Sequence, residues 1–220
     1  MRGLELNGTD NFMNKEIPAR ERIVAAATEL FHKHGIHGVS VDTILAQAGA
    51  GKSQFAHYFK NKEGLISAVI VSLDQVIRKG LVESNYSLSS WRDFESWFER
   101  YIEFQRRVHC HLSCPLGTIG NGLTESQEEL RRSVQSFFEW ANSQLARFFT
   151  EKRAAGELPR SSNPNELASL CLAVMEGGML LTRISRSTSF FEQSAKQVVQ
   201  YVRLLRKSCH PKSSASSARY

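Results

Sequence analysis

A chain of 220 residues, 41% hydrophobic and 23% charged, is long enough to bury a sizeable core, and that balance excludes a largely disordered polymer. The formal net charge of +6 is weak support for nucleic-acid binding, because the chain after Glu192 holds Lys196, Arg203, Arg206, Lys207, Lys212 and Arg219 and no acid, a basic end equal to the whole excess. The opening MRGLELNGTDNFMNKEIP lacks an apolar signal segment, and no run of about 18 uninterrupted apolar residues follows. The cysteines Cys110, Cys114, Cys171 and Cys209 are too few and too unevenly spread for a disulfide framework. The expectation is therefore a cytoplasmic protein with no membrane partner.

Helical periodicity dominates, and neither internal repeats nor alternating strand patterns occur, so the fold class expected is all-α. Residues 1–16 are polar and aperiodic and read as a flexible arm. Pro18 opens a first helix whose Ile23, Ala27, Leu30 and Phe31 share a face, and Gly35 and Gly38 end it. Ser40, a suitable N-cap, precedes Val41, Ile44, Leu45 and Ala48 at helical spacing. Gly49, Ala50 and Gly51 interrupt this short helix, and another begins at Lys52 with Phe55 and Phe59 inward. A longer helix follows, striped by Ile66, Ile70, Leu73 and Ile77, and stops near Gly80.

A second body begins beyond the polar run at 84–90. Phe94, Trp97, Tyr101, Phe104 and Val108 share one helical face until Cys114, Pro115 and Gly117 break the pattern. From Glu125 to Arg153 a long helix carries Leu130, Val134, Phe137, Ala141, Leu145 and Phe148 inward, closed by Gly156 and Pro159. Asn163, Pro164 and Glu166 are a strong start signal for a helix running to about Ile184. Ser189 with Glu192 repeats the signal, Phe191, Ala195, Val198, Val202 and Leu205 stripe the last helix, and the Ser-rich end reads as disordered.

Two short helices joined by a glycine-containing turn, the second polar outside its anchors, is what reading a DNA major groove requires. With Phe55 inward and about 100° per residue, Ser53 and His57 point outward, flanked by Gln54 and Ala56. Lys52 and Lys62 are placed to neutralise phosphates, Gln54 can pair with adenine in a bidentate manner, and Tyr58 suits a phosphate hydrogen bond.

The stretch RERIVAAATELFHKHGIHGVSVDTILAQAGAGKSQFAHYFKNKEGLISAVI closely resembles the DNA-binding domain of tetracycline-repressor-type (TetR family) regulators, over residues 17–77. Ser40, Ile44, Ala48, Gly49, Phe55, Tyr58, Phe59, Lys62 and Glu63 fit the family pattern. Gly51, where the family usually has Ser or Thr, and Ala56, where it usually has an aromatic, depart from it. The resemblance implies a three-helix helix-turn-helix domain at 17–77 (motif 40–59) and a C-terminal helical ligand-binding and dimerisation domain at 78–207, while composition marks 208–220 as a disordered basic tail. It also implies that Ser40 caps the second helix and touches phosphate while Lys52, Ser53, Gln54 and His57 enter the groove.

The same resemblance implies a homodimeric repressor on palindromic double-stranded operator DNA, joined through its last two helices, with Gly177 and Gly178 permitting close approach. An effector, either a small molecule among Trp97, Tyr101, Phe104, Phe137 and Trp140 or a thiol-reactive electrophile acting at Cys114, would release the DNA. The segment SCPLG at 113–117 looks like a Cys-containing junction of some such regulators. Other readings remain open at this level. His109, Cys110, His111 and Cys114 suit a thiol- or metal-based enzyme, although small core cysteines beside surface histidines give the same pattern. AQAGAGKS at 46–53 satisfies a loosened phosphate-loop pattern, though without the strand that such a loop requires. No cofactor and no metal are expected.

Overall fold

The computed structural model describes residues 17–81 and 86–209; the arm expected at 1–16 and all but the first residues of the tail expected at 208–220 lie outside them. Among the described residues the chain is helical throughout, with no strand: α1 Ala19–His34, α2 Val41–Ala48, α3 Lys52–Phe59, α4 Lys62–Arg78, α5 Trp91–Arg107, α6 Pro115–Asn121, α7 Glu128–Ala154, α8 Pro164–Ser185 and α9 Ser189–Cys209. The all-α expectation holds.

The chain divides into two compact units, Met1–Leu81 with Cys114–Ser136, and Val82–Ser113 with Phe137–Tyr220. In the first, Ile23, Ala27 and Phe31 of α1 meet Ile44 and Leu45 of α2 and Leu65, Ile66 and Val69 of α4 as a closed apolar core. Burying such a side chain contributes roughly 1.5–3 kcal/mol, so three helices of modest length hold one another where none would persist alone. The short helix α6 also packs against α1 and α4. Sequence periodicity registers this segment only as a break, because seven residues containing glycine carry no stripe.

In the second unit, Ser90 starts α5 by accepting a hydrogen bond from Asp93 N, 3.1 Å, while Asp93 Oδ2 accepts from Ser90 N, 2.9 Å. This reciprocal cap satisfies donors that the first turn leaves open. Asn163 caps α8 through Asn165 N, 3.1 Å, with Pro164 at the first helical position. The core is aromatic: Phe94 stacks on Phe148 at 5.9 Å, Trp97 meets Phe98 edge-on at 4.9 Å, and Phe191 lies 6.4 Å from Phe98. Helices α8 and α9 make the most extensive helix–helix contact among the described residues.

The helix α8 is long and apolar enough to cross a bilayer by length and composition alone. Charged residues nevertheless interrupt it at Glu176 and Arg183, and Cys171, Met175 and Met179 are buried within the second unit. A soluble core helix passes the same test.

Candidate nucleic-acid interface

The turn between α2 and α3 is built by backbone chemistry. Ser40 Oγ accepts from Thr43 N at 3.0 Å, capping α2. The helix stops because Gly49 adopts φ 57°, ψ 43°, a left-handed conformation that costs other residues roughly 1–2 kcal/mol. Ala50 N then returns to Leu45 O at 3.0 Å. Arg22 of α1 clamps the turn from beneath, donating from Nε to Ala48 O and from Nη2 to Gly49 O, both at 3.0 Å, and from Nη1 to Ile17 O at 2.9 Å. It therefore occupies carbonyls that α2 leaves unpaired at its end. Sequence reasoning missed Arg22, since a lone arginine on an amphipathic helix looks like solvated surface.

The phosphate-loop lookalike at 46–53 falls on this helix-turn-helix joint. Its Lys52 is the first residue of α3, with Nζ 3.1 Å from Asp42.

Helix α3 is anchored on one side only. Phe59 is buried, Phe55 is half-buried with its ring 5.7 Å from Phe59, and Arg20 lies over Phe59 at 5.9 Å. Lys52, Ser53, Gln54, Ala56, His57 and Tyr58 are all exposed. Ser40 is exposed as well, on the same helix-turn-helix. Six of the seven residues expected to touch DNA thus lie on the open surface of one short motif. Tyr58 projects outward, with its ring 4.9 Å from that of His57.

Two expected roles change. Gln54 Oε1 accepts from Gly51 N at 3.0 Å, so its carbonyl serves the start of α3 and only its amide N–H groups remain for a base; bidentate pairing with adenine would break the cap. Gly51 itself has no side-chain oxygen to accept from the first turn, so this bond is the side-chain contribution to capping α3. Lys62 is likewise engaged within the unit. Its Nζ donates to Val39 O at 2.6 Å and stands 5.9 Å over the Phe31 ring, and burial lowers the ammonium pKa. Lys62 therefore braces α4 against the segment preceding α2, with one of its three ammonium donors committed inside the unit.

Lys60 is a better placed cation. It is exposed at the end of α3, at φ 61°, ψ −52°, with Asn61 N donating to Phe59 O at 2.6 Å. This is a γ-turn of the rare, strained kind. Asn61 Oδ1 then accepts from Gly64 N at 2.9 Å to start α4, and a Cβ on Gly64 would overlap the carbonyl oxygen of Phe59. The angle between α3 and α4 is locked by three consecutive backbone devices.

In the second unit Trp97, Tyr101, Phe137 and Trp140 come together, with Tyr86 bridging: its ring is 5.8 Å from Trp97, 6.2 Å from Phe137 and 5.6 Å from Trp140. Trp97, Tyr101 and Phe137 are buried ring on ring, whereas Phe104 sits half-buried beneath Arg107 at 5.9 Å. None of these residues lines the largest groove described, about 1140 Å³ between α5 and α9, which runs over Phe98, Ile102 and Val199. Its rim is closed by Arg203 with Glu95 at 2.7 Å and Arg106 with Glu192 at 2.8 Å.

Cys110, Cys114 and Cys171 are buried thiols, none of them in a disulfide. Cys114 Sγ accepts from Gly117 N at 3.4 Å as the cap of α6, and burial pushes the Cys171 thiol far above its ordinary pKa. Among the described residues no three His, Cys, Asp or Glu side chains gather as a metal site, so His109, Cys110, His111 and Cys114 do not form one.

Comparison with known proteins agrees with this geometry. Residues 23–69 match the family profile described as bacterial regulatory proteins, tetR family, and residues 93–198 match that of a tetracyclin repressor-like C-terminal domain. An HTH-type transcriptional regulator in the lacX 3' region of Lactococcus lactis is 26% identical over 183 residues, spanning 80% of this chain and 88% of its own. The HTH-type transcriptional repressor DhaR of a Mycobacterium species is 22% identical, spanning 80% and 88%. The solved regulatory protein TetR of Rhodobacter sphaeroides superposes with a TM-score of 0.72 at 23% identity, covering 83% of this chain and 98% of that one.

Proposed function

This chain belongs to the TetR family of bacterial regulatory proteins and is a DNA-binding transcriptional regulator, not an enzyme; from that premise we propose that it is a cytoplasmic, homodimeric repressor released from a palindromic operator by a small effector. The observation that carries the DNA-reading part is the continuous exposure of α3 from Lys52 to Tyr58, broken only at the half-buried Phe55, above a buried Phe59. In this reading Ser53 and His57 meet base edges and the Ala56 methyl suits a thymine methyl. Gln54 contributes one N–H from its capping position, while Ser40, Lys52, Tyr58 and Lys60 hold phosphates.

A second copy of the chain covers the outer face of α8 and α9. Leu180, Leu181 and Ile184 on α8 and Phe190, Tyr201 and Leu204 on α9 are large, apolar and exposed, which a monomer surface rarely tolerates together. Gly177 opens to empty space on that face, whereas Gly178 is committed inside the chain, where a Cβ would overlap the Phe191 ring. Only Gly177 is therefore open to let a partner helix approach. A twofold pair of recognition helices reads a palindrome.

Release follows from an effector that binds better to a dimer whose helices are mis-spaced for the half-sites. The second unit, around Trp97, Tyr101, Phe104, Phe137 and Trp140, is the place proposed for it. The buried, hydrogen-bonded position of Cys114 Sγ favours a non-covalent ligand over thiol chemistry. Selection of bound sequences from random duplex DNA tests the whole reading. It should yield a palindrome with half-sites about one helical turn apart, and absence of any enriched sequence would defeat it.

A further inference from the structure

Among the described residues, the polar ones buried in the fold are Gln105, Ser113 and Thr182, and all three are uncharged. Gln105 and Thr182 are completely inaccessible, and neither the Gln105 amide oxygen and nitrogen nor the Thr182 hydroxyl has a hydrogen-bond partner. Such groups are rare in native proteins, because each loses its hydration without replacement. Ser162 Oγ of the same unit is a further hydroxyl of this kind, but Gln105 and Thr182 are the two such residues that are inaccessible as a whole, and they ask for a common cause.

Their placement suggests it. Gln105 lies in the last turn of α5 and Thr182 in the last turn of α8, and these helices pack on each other. Their C-terminal ends are pinned together, since Arg186 just beyond α8 donates from Nη1 to Cys110 O at 2.9 Å, and Cys110 N returns to Gln105 O at 2.8 Å. The unmatched amide and hydroxyl therefore occupy the same end of the same helix pair. Met175 and Met179, buried on the Thr182 face of α8, provide pliable apolar walls that adapt to a guest.

We propose that Gln105 and Thr182 are the polar anchors of the effector site, and that they select an uncharged, carbonyl-bearing molecule, an amide or lactam with an apolar body. The amide side chain offers one donor edge and one acceptor, matching the C=O and N–H of such a ligand, and the hydroxyl supplies a further bond. Glu176, whose Oε1 is buried on the same helix as Thr182, disfavours an anion, and a charged ligand of either sign enters at high desolvation cost. The inference rests on the reading of the chain as an effector-released regulator, and binding of the selected operator without any added compound tests that reading separately.

The test uses the full chain with hexanamide and caprolactam as neutral probes, and hexanoate and hexylammonium as charged controls, read by calorimetry and by release of labelled operator. The neutral probes are expected to bind and to release the DNA, and the charged ones to do neither. Gln105→Met and Thr182→Val, which keep shape and remove the unmatched groups, should weaken neutral-probe binding at least tenfold. Probe-free melting temperature should be equal or higher, with operator affinity unchanged. Failure of both neutral probes at millimolar concentration, tighter binding of the charged controls, or binding undiminished in both variants overturns the proposal. The last result would leave a buried water as the partner of these groups.

Discussion

The imidazole Nε2 of His37 lies 2.6 Å from the carbonyl oxygen of Gly122. A carbonyl only accepts, so Nε2 carries the proton. The bond ties the turn between α1 and α2 to the end of α6, and Gly122 is there because a Cβ would come within 2.8 Å of Ile36. Gly122→Ala should lower stability by about 1–3 kcal/mol through overpacking, and His37→Ala by about 1 kcal/mol. Denaturant unfolding checks both; a Gly122→Ala protein as stable as the parent would show that this contact is slack.

The joint between α3 and α4 makes a divided prediction. Lys60→Gly relieves the strained γ-turn and should raise stability by about 1–3 kcal/mol, while weakening operator binding through the lost cation. Gly64→Ala should do harm on both counts, because its methyl meets backbone oxygen that cannot move without displacing α3. Paired melting and operator titrations separate the two effects.

The helices α2 and α4 are legible in the sequence because their stripes are complete within each element: Ile44 and Leu45 in α2, Ile66, Ile70 and Ile77 in α4, and the Ser40 cap. What is illegible depends on distant partners. Lys62 looks like any basic residue until Val39 O is seen beside it, and Gln54 looks like a base reader until the Gly51 N–H is seen on its carbonyl. Arg22 and Gly178 take their roles from Ala48 and Gly49 in the first case and Phe191 in the second, none of which a local pattern can specify. The exposed side of α3 is predictable because it faces nothing within the chain.

The apolar outer face of α8 and α9 should mark the dimer contact. Leu180→Arg combined with Ile184→Glu places charges where a partner copy would bury them, and sedimentation should then report the 24.8 kDa chain in place of twice that mass. The helical circular dichroism signal should be unchanged, since both side chains are exposed within the monomer. A parent protein that sediments as a monomer at micromolar concentration would remove the basis for a paired recognition unit.

Acid should loosen the second unit through Glu157. Its carboxylate accepts from Trp91 Nε1 at 2.5 Å and from Lys152 at 3.3 Å, and these partners, the indole first, hold its pKa below the ordinary 4.5. A lowered folded-state pKa means that the contribution is complete above 4.5 and is lost as pH falls through the folded value. Glu157→Gln should flatten the stability profile below the ordinary carboxylate pKa and leave it parallel to the parent at neutral pH, measured by urea unfolding across that range.

The most direct test of the central claim, that the exposed face of α3 reads operator DNA, is an anisotropy titration of the selected operator and of variants mutated at each position. It compares the parent with Ser53→Ala, His57→Ala and Lys52→Ala. The account predicts that the first two lose about 1–3 kcal/mol of discrimination at symmetric base pairs, and that Lys52→Ala weakens all sequences alike and lowers the salt slope by about 1. Affinity, base preference and salt slope unchanged in all three would contradict it.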